Sequence, residues 1–316
     1  MDFKQRNHWL VTGGAGFIGS HLVRTLAAQN QQVTVLDNLS NGNMQNLLSV
    51  QDKIHFINGD ICDFKTCISA SAGVDYVLHH AALVSVAQSM ENPRQTLQTN
   101  VQGTQNILEA SVQNHIKRFI FASSAAVYGT RPELPYTEQT PVDCKSPYAW
   151  SKQAAAELCR LYTKSYGLET VVLRYFNVYG PGQNPNAAYA AVVAKFMQLA
   201  DENKTLGIDW DGLQRRDFIN VQDVVQAVLL AVAKGVSGET YNVASGRTYT
   251  LLELADTIEK IFGRPLKRVQ QPKRPGDVHE SSADIGKIRA LGFIPRITLE
   301  QGLAEMKKVA GPLAIN

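Results

Sequence analysis

Two features of the sequence predict an α/β fold with a doubly wound parallel sheet and a smaller C-terminal α/β region. Short apolar runs alternate with helical stretches through the first half of the chain. A glycine-rich turn joins the first apolar run to the first helical stretch. Strands that alternate with helices form a parallel sheet covered on both faces.

The individual elements follow from this periodicity. Strands are predicted at 8–12, 32–36, 54–57, 75–78, 118–121 and 171–174, and helices at 17–29, 93–114 and 147–166. We expect residues 1–176 to form the first domain and residues 177–316 to form mainly the second. Residues 221–243 read as a helix and a strand that return to the first sheet.

Composition excludes several functional classes. The 316 residues are 44% apolar, which suits a large buried core, and the net charge of +3 gives no argument for a nucleic-acid partner. No apolar run approaches the roughly 20 residues of a membrane span, and the N-terminus lacks a signal-peptide pattern. The four cysteines form no C-x-x-C pair, so we expect reduced thiols, a cytoplasmic location and no metal site.

The glycine-rich turn predicts a dinucleotide site of the Rossmann type. Gly13, Gly16 and Gly19 are spaced G-x-x-G-x-x-G, with Phe17 and Ile18 opening the helix. Without Cβ atoms the backbone can approach a pyrophosphate, and the helix N-terminus supplies free N–H groups.

Asp37 indicates which dinucleotide is bound. It follows the second predicted strand at the expected distance, and its carboxylate can accept hydrogen bonds from the adenosine ribose. Its charge would repel a 2′-phosphate, so the sequence predicts NAD rather than NADP as the cofactor. Asn38 is assigned to the same site, and Asp60 and Ile61 are expected to flank the adenine.

Tyr148 and Lys152 form a candidate catalytic pair. Their i, i+4 spacing places them on one face of a helix. A free tyrosine titrates near pH ~10, but a nearby ammonium and a cationic nicotinamide ring favour the phenolate and are expected to lower its pKa. Ser124 closes the strand about 25 residues earlier, at the edge where doubly wound sheets bind ligands, and can hold the same substrate hydroxyl.

These residues together resemble the extended short-chain dehydrogenase/reductase family. More narrowly, FASSAAVYG at 121–129, SPYAWSK at 146–152 and LRYFNVYG at 173–180 resemble nucleotide-sugar 4-epimerases, and the similarity extends from Trp9 to about Phe293. The resemblance implies that Ser124, Tyr148 and Lys152 are catalytic and that Tyr175 lies beside the nicotinamide. It also implies a set of substrate contacts: Ser85, Ser124, Asn177, Arg216, Arg274 and Asp277.

Three reactions of such proteins are distinguished by the residues after Ser124. Dehydratases of the family carry an Asp-Glu pair there and decarboxylases usually a Glu, whereas this chain has Ala125 and Ala126, which cannot transfer protons. Reversible oxidation at C4, an epimerisation, needs only the tyrosine and the cofactor. A simple aldehyde reductase would not need Arg216 and Arg274, and a silent NAD-binding sensor usually lacks the tyrosine or the lysine.

The size of the sugar is read from Ser281, Gln183 and Ala191. Epimerases that exclude N-acetyl sugars carry a bulky aromatic residue where Ser281 stands. The stretch from Gln183 to Ala191 resembles UDP-N-acetylglucosamine 4-epimerases, although Val84 departs from the small residue expected beside Ser85. The sequence therefore favours UDP-GlcNAc/UDP-GalNAc or their uronic acids, with UDP-glucose/UDP-galactose as the alternative.

A homodimer is the expected assembly. The helices at 93–114 and 147–166 resemble the pair that forms a four-helix bundle between subunits in this family. Ala154, Leu158 and Leu161 are the apolar positions that would lie either at that interface or in the core.

Overall fold

The computed structural model describes residues 5–185, 191–273 and 279–310. A parallel sheet of seven strands forms its centre, which confirms the predicted α/β class. The strands of this sheet are β1 His8–Thr12, β2 Gln32–Asp37, β3 Ile54–Asn58, β4 Tyr76–His79, β5 Arg118–Ser124, β6 Thr170–Tyr175 and β10 Thr240–Val243. Their order across the sheet is β10-β6-β5-β4-β1-β2-β3.

Helices cover both faces of the sheet. The α-helices of the described residues are α1 Phe17–Ala28, α2 Phe64–Ala70, α3 Val86–Glu91, α4 Pro93–Leu97, α5 Gly103–Gln113, α6 Pro147–Tyr166, α7 Val192–Asp201, α8 Val221–Lys234, α9 Leu251–Phe262, α10 Gly286–Ala290 and α11 Leu299–Ala310. Apolar side chains of α1 and α8 form a core on one face, and those of α2, α5 and α6 form a core on the other.

The predicted helix at 93–114 is not uniform. A π-helical turn at Gln98–Gln102 separates α4 from α5. Such wider turns are uncommon and occur mostly where a side chain is needed for another contact. Here the turn carries Asn100, which is buried and hydrogen-bonded to the segment after β4.

Helix α6 has a strongly defined start. The hydroxyl of Ser146 accepts a hydrogen bond from the N–H of Ala149 at 3.1 Å, and Pro147 takes the first helical position. Both features stabilise a helix N-terminus. This start sets the rotation of α6, which turns Tyr148 and Lys152 toward the sheet.

Residues after β6 build two smaller sheets. The strands here are β7 Asn177–Tyr179, β8 Leu206–Asp209, β9 Arg215–Asn220, β11 Thr248–Thr250, β12 Arg268–Gln271 and β13 Glu280–Ser281. Strand β9 pairs with β7, β11 and β13, and β8 pairs with β12. Helices α7, α9 and α11 cover a third apolar core in this region.

The second half of the chain returns one strand to the first sheet and places Arg216 in a strand of its own region. Strand β10 pairs in parallel with β6, with Thr240 opposite Val172, so residues 240–243 lie in the first sheet. Arg216 lies within β9, where partner strands on both sides give its backbone a regular ladder.

Within the described ranges, no helix combines the length and the apolar character that crossing a bilayer demands.

Candidate active site

The candidate site lies at the carboxyl edge of the seven-stranded sheet. Strands β1 and β4 are neighbours there. From β1 the chain continues to β2 on one side of this pair, and from β4 it continues to β5 on the other side. In doubly wound folds this reversal opens a crevice that binds ligands. Gly13 follows β1, His80 follows β4, and Ser124 and Tyr175 end β5 and β6.

The glycine turn is shaped for a close approach of backbone to ligand. Gly13 has a φ of +69°, and a Cβ there would lie 2.6 Å from the backbone nitrogen of Ala81. A Cβ on Gly19 would lie 2.1 Å from the carbonyl oxygen of Gly13. Gly16 precedes α1 without a side-chain cap, which leaves the N–H groups of the first turn to a ligand. The turn therefore fits the pyrophosphate of a dinucleotide.

Asp37 lies against this turn. Its carboxylate accepts hydrogen bonds from the N–H of Ala15 at 2.9 Å and of Leu39 at 2.8 Å. Burial raises the pKa of Asp37, and these two hydrogen bonds act in the opposite direction. A carboxylate has about four acceptor positions, so it retains capacity for ribose hydroxyls.

The predicted adenine-side residues divide into two kinds. Asn38 donates from Nδ2 to Asp60 Oδ2 at 2.9 Å, which brings both polar side chains together beside Asp37. Ile61 is buried, and a Cβ on Gly103 would lie 2.6 Å from its Cδ1. The side chain of Ile61 therefore belongs to the core, and polar contact with a ligand falls to Asn38 and Asp60.

Ser124 and Tyr148 meet at the end of β5. Tyr148 is 8% exposed, and its hydroxyl lies beside the side chain of Ser124. Burial raises the pKa of Tyr148, while the neighbouring Ser124 side chain lowers it. Ala125 and Ala126 follow in a short 3₁₀ turn and carry no group that titrates.

Lys152 lies one turn along α6 from Tyr148 and is 4% exposed. Its Nζ donates to the carbonyl of Ala122 at 2.9 Å and lies 5.1 Å from the ring centre of Phe121. Burial lowers its pKa to about 8. In the protein by itself, the expected lowering of the pKa of Tyr148 by this ammonium is not found, because burial of the phenol dominates.

Two polar residues near the site were not predicted. The Nε2 of His80 lies 2.9 Å from the hydroxyl of Tyr175, and the two rings stack at 5.9 Å. Asn100 bonds both backbone groups of Leu83 and donates to Ser151 Oγ at 3.0 Å. The position of His80 at a strand end was a usable signal, whereas nothing in the local pattern marked Asn100.

His79, the residue before His80, has a packing role. His79 is buried with its two ring nitrogens 2.7 Å from Thr12 Oγ1 and 2.9 Å from Thr104 Oγ1. Both polar atoms are therefore satisfied inside the sheet layer. Ser85, predicted to bind substrate, caps α3 by accepting from the N–H of Gln88 at 3.0 Å.

Three of the predicted substrate residues, Asn177, Arg216 and Ser281, lie on β9 or on strands paired with it. The amide of Asn177 donates to the carbonyl of Asp217 at 2.9 Å. Arg216 is paired in register with Ser281 of β13, and its guanidinium donates to the carbonyl of His279 at 3.4 Å. The small residue Ser281 therefore lies beside the arginine that we expect to bind phosphate.

Two further predicted substrate residues, Gln183 and Ala191, lie between β7 and α7. Gln183 donates from Nε2 to the carbonyl of Val178 at 3.1 Å, and its buried Oε1 has no hydrogen-bond partner within the described ranges. Ala191 precedes α7 and is exposed. Arg274 and Asp277 lie outside the described residues.

Fold and site define a class of enzymes, and the chain belongs to the NAD dependent epimerase/dehydratase family, which it matches over residues 9–244. NAD is its cofactor, as Asp37 predicted.

Among solved structures, the UDP-N-acetylglucosamine 4-epimerase of Methanobrevibacter ruminantium, in complex with UDP-N-acetylmuramic acid, is 36% identical with a TM-score of 0.93, over 96% of this chain and 98% of that one. The UDP-glucose 4-epimerase of Thermotoga maritima is 37% identical with a TM-score of 0.92, over the same shares. The dTDP-glucose 4,6-dehydratase of Streptomyces niveus is also 37% identical, over 94% of this chain and 90% of its own length.

Proposed function

We propose that the protein epimerises C4 of a UDP-sugar through a transient 4-keto sugar, and that UDP-GlcNAc and UDP-GalNAc, or the corresponding uronic acids, are its substrates. The observation that carries the reaction is the placement of Tyr148 beside Ser124, which is followed by two alanines. This arrangement supplies one proton-transfer group at one sugar hydroxyl and no second acid or base from the residues after Ser124.

The roles of the catalytic residues follow from their contacts. Ser124 holds the C4 hydroxyl, and the Tyr148 phenolate accepts its proton as the C4–H bond breaks. Bound NAD supplies the hydride acceptor and, in the return step, the hydride donor. Tyr148 then gives the proton back to the 4-keto oxygen, so no atom is gained or lost when the hydride returns to the opposite face.

Tyr148 must be ionised to act as a base. Burial holds its pKa above the usual value in the protein alone. Lys152 and the positive charge of the oxidised nicotinamide both favour the phenolate, so binding of the cofactor activates the tyrosine. This coupling also keeps the base inactive when no oxidant is present.

The identity values do not separate epimerases from dehydratases, because both classes are about equally similar to this chain. The residues after Ser124 do separate them. Water elimination needs a further acid and base at the sugar, and the methyl groups of Ala125 and Ala126 cannot supply them.

The sugar preference rests on Ser281. This small residue is paired with Arg216, whose guanidinium suits a diphosphate, together with Arg274. A side chain as small as that of Ser281 leaves room for a 2-acetamido group, and among the described residues Gln183 has a buried amide oxygen without a hydrogen-bond partner. UDP-glucose and UDP-galactose are the second candidate pair, favoured by the similarity to the Thermotoga maritima enzyme.

The experiment incubates the purified protein, without added NAD, separately with UDP-GlcNAc, UDP-Gal and the uronic acid of UDP-GlcNAc. Anomeric proton signals in NMR spectra report the C4 epimers. Faster turnover of an acetamido sugar supports the proposal. Turnover of UDP-Gal alone favours the second candidate, and no turnover with added NAD overturns both and leaves a silent NAD-binding protein.

A pair of variants isolates the size effect. Ser281→Tyr adds a bulky ring and is expected to depress turnover of acetamido substrates by about tenfold or more while sparing UDP-Gal. Ser281→Ala removes only the hydroxyl and is the matched control. Equal losses on both substrates in Ser281→Tyr contradict the size argument.

We further propose a homodimer through the face formed by α3, α4 and α6. Trp150 and Leu161 of α6 are 53% and 50% exposed, and Met90 of α3 is 62% exposed. Ala154 and Leu158 are half-buried and Leu161 is exposed, so none of these three apolar positions of α6 lies fully in the core. Large apolar side chains exposed together on one face mark a protein interface.

We also propose a domain division, a cellular location and a biosynthetic role. Residues 1–176 with 221–243 form the NAD-binding domain, and the rest of 177–316 forms the nucleotide-sugar domain. The location is cytoplasmic, where thiols stay reduced, and the four cysteines are free. The product serves polysaccharide biosynthesis.

A further inference from the structure

His21 connects the helix behind the glycine turn to the loop that follows β7. It lies on α1, one turn after Phe17, and is 5% exposed. Its Nε2 lies 2.8 Å from the carbonyl oxygen of Pro181, and its Nδ1 lies 2.9 Å from Nε2 of Gln222 on α8. One imidazole therefore joins three separate segments of the chain.

The partners fix the protonation of this ring. The carbonyl of Pro181 can only accept, so Nε2 carries the hydrogen and Nδ1 accepts from the amide of Gln222. Burial lowers the pKa of His21 to about 4, which keeps this neutral form at physiological pH. The ring is thus a fixed two-point connector and has no proton to exchange near neutral pH.

The loop held by His21 is Gly180–Pro181–Gly182–Gln183. Proline has no N–H and glycine has no side chain, so the segment has few groups with which to order itself. Inside the loop, Gln183 donates from its N–H to Gly180 at 3.3 Å. Its side chain donates to Val178, and its buried Oε1 has no hydrogen-bond partner in the part of the chain that the structure describes. The hydrogen bond from His21 on α1 to the carbonyl of Pro181 therefore fixes the loop that carries the Oε1 of Gln183.

We infer that His21 is a positioning residue that sets the location of Gln183 relative to the glycine turn, and so links the NAD side of the site to the sugar side. The inference rests on the proposed function in one respect, namely that Gln183 contacts the substrate. A displaced loop weakens substrate binding, whereas the reacting groups Ser124, Tyr148 and Lys152 lie on other elements and keep their places.

The test uses the full NAD-containing enzyme with His21→Phe, which keeps a ring against Phe17 but bonds neither Pro181 nor Gln222. Thr25→Val is the control, because it removes the bond from Thr25 to the carbonyl of His21 on the same helix and leaves the ring untouched. Hydrogen exchange of amides 178–185, measured by mass spectrometry, reports the loop independently of activity.

We expect His21→Phe to speed loop exchange and to raise the KM of the UDP-sugar, each by about tenfold, which is the size of effect that loss of buried hydrogen bonds produces. The kcat should stay within about twofold, with NAD content unchanged. Thr25→Val should match wild type. Unchanged loop exchange in His21→Phe, or a fall in kcat without a rise in KM, overturns the inference.

A second pair of variants, at Gln222, tests the same contact if His21→Phe does not fold. Gln222→Leu deprives Nδ1 of its partner and is expected to loosen the loop. Gln222→Glu supplies a carboxylate that accepts from a protonated Nδ1 while Nε2 still bonds Pro181, and should restore wild-type exchange. Equal behaviour of the two variants contradicts the role of the ring. If the wild type turns over no UDP-sugar, the exchange data still decide whether His21 holds the loop.

Discussion

Lys152 is expected to make the protein less stable than it would be with an uncharged side chain at the same position. Its ammonium is 4% exposed, and burial lowers its pKa from 10.5 to about 8. Lys152→Met keeps a chain of similar length and removes the charge. The variant should therefore lose catalysis and gain stability, as expected where an active site holds a group for function.

The size of the gain follows from the pKa. At 1.36 kcal/mol per pH unit, a pKa of about 8 in place of 10.5 corresponds to about 3 kcal/mol of destabilisation at neutral pH. Loss of the hydrogen bond to the carbonyl of Ala122 offsets about 1 kcal/mol, which leaves a net gain of about 2 kcal/mol for Lys152→Met.

The gain should depend on pH in a defined direction. Below pH 8 the lysine is charged in both folded and unfolded states, and the full cost is present. Between pH 8 and 10.5 the unfolded chain binds more protons than the folded one, so the wild type becomes more stable as the pH rises. The advantage of Lys152→Met should therefore shrink over this window, and above it the lost hydrogen bond to Ala122 should leave the variant about 1 kcal/mol less stable than wild type.

Urea unfolding of NAD-free wild type and variant at pH 7 and at pH 10.5 measures this difference. Lys164→Met, at an exposed position near the end of the same helix, is the matched control and should change stability by less than about 0.5 kcal/mol. The reasoning is refuted if Lys152→Met is less stable than wild type at pH 7, or if its gain is the same at both pH values.

Three further predictions test other parts of the site. Tyr148→Phe should lower kcat by roughly 10² to 10⁴ while NAD content stays at the wild-type level; full activity would exclude the tyrosine as base. Gly13→Ala should abolish retention of NAD, because its Cβ would lie 2.6 Å from the Ala81 nitrogen, whereas Gly73→Ala has a similar φ in open space and should cost only about 1 kcal/mol. Trp150→Arg should convert the proposed dimer to a monomer by light scattering; a monomeric wild type would contradict the interface.

Local sequence patterns were sufficient to predict the strands and the cofactor of the NAD-binding region. Alternating apolar runs gave the parallel strands to within one to three residues at their ends. The turn at Gly13 to Gly19 and the carboxylate of Asp37 identified NAD, because glycine geometry and a charge after the second strand act over short stretches of chain. The i, i+4 spacing of Tyr148 and Lys152 placed both on one face of α6 in the same way.

Long-range contacts decided the rest. Strand pairing put Ser281 opposite Arg216, and these residues are 65 positions apart, so no local pattern carries that relation. Asn100 is visible only through its bonds to Leu83 and Ser151, which come from other elements.

The sequence by itself determined the class of fold, the cofactor and the identity of the candidate proton-transfer residues, since these depend on periodicity and on residue chemistry over a few turns of chain. Only the tertiary structure decided that burial keeps Tyr148 protonated and Lys152 easily deprotonated, and that His21 holds the Pro181 loop. Desolvation and register arise from segments far apart in sequence, and they exist only once the chain has closed around them.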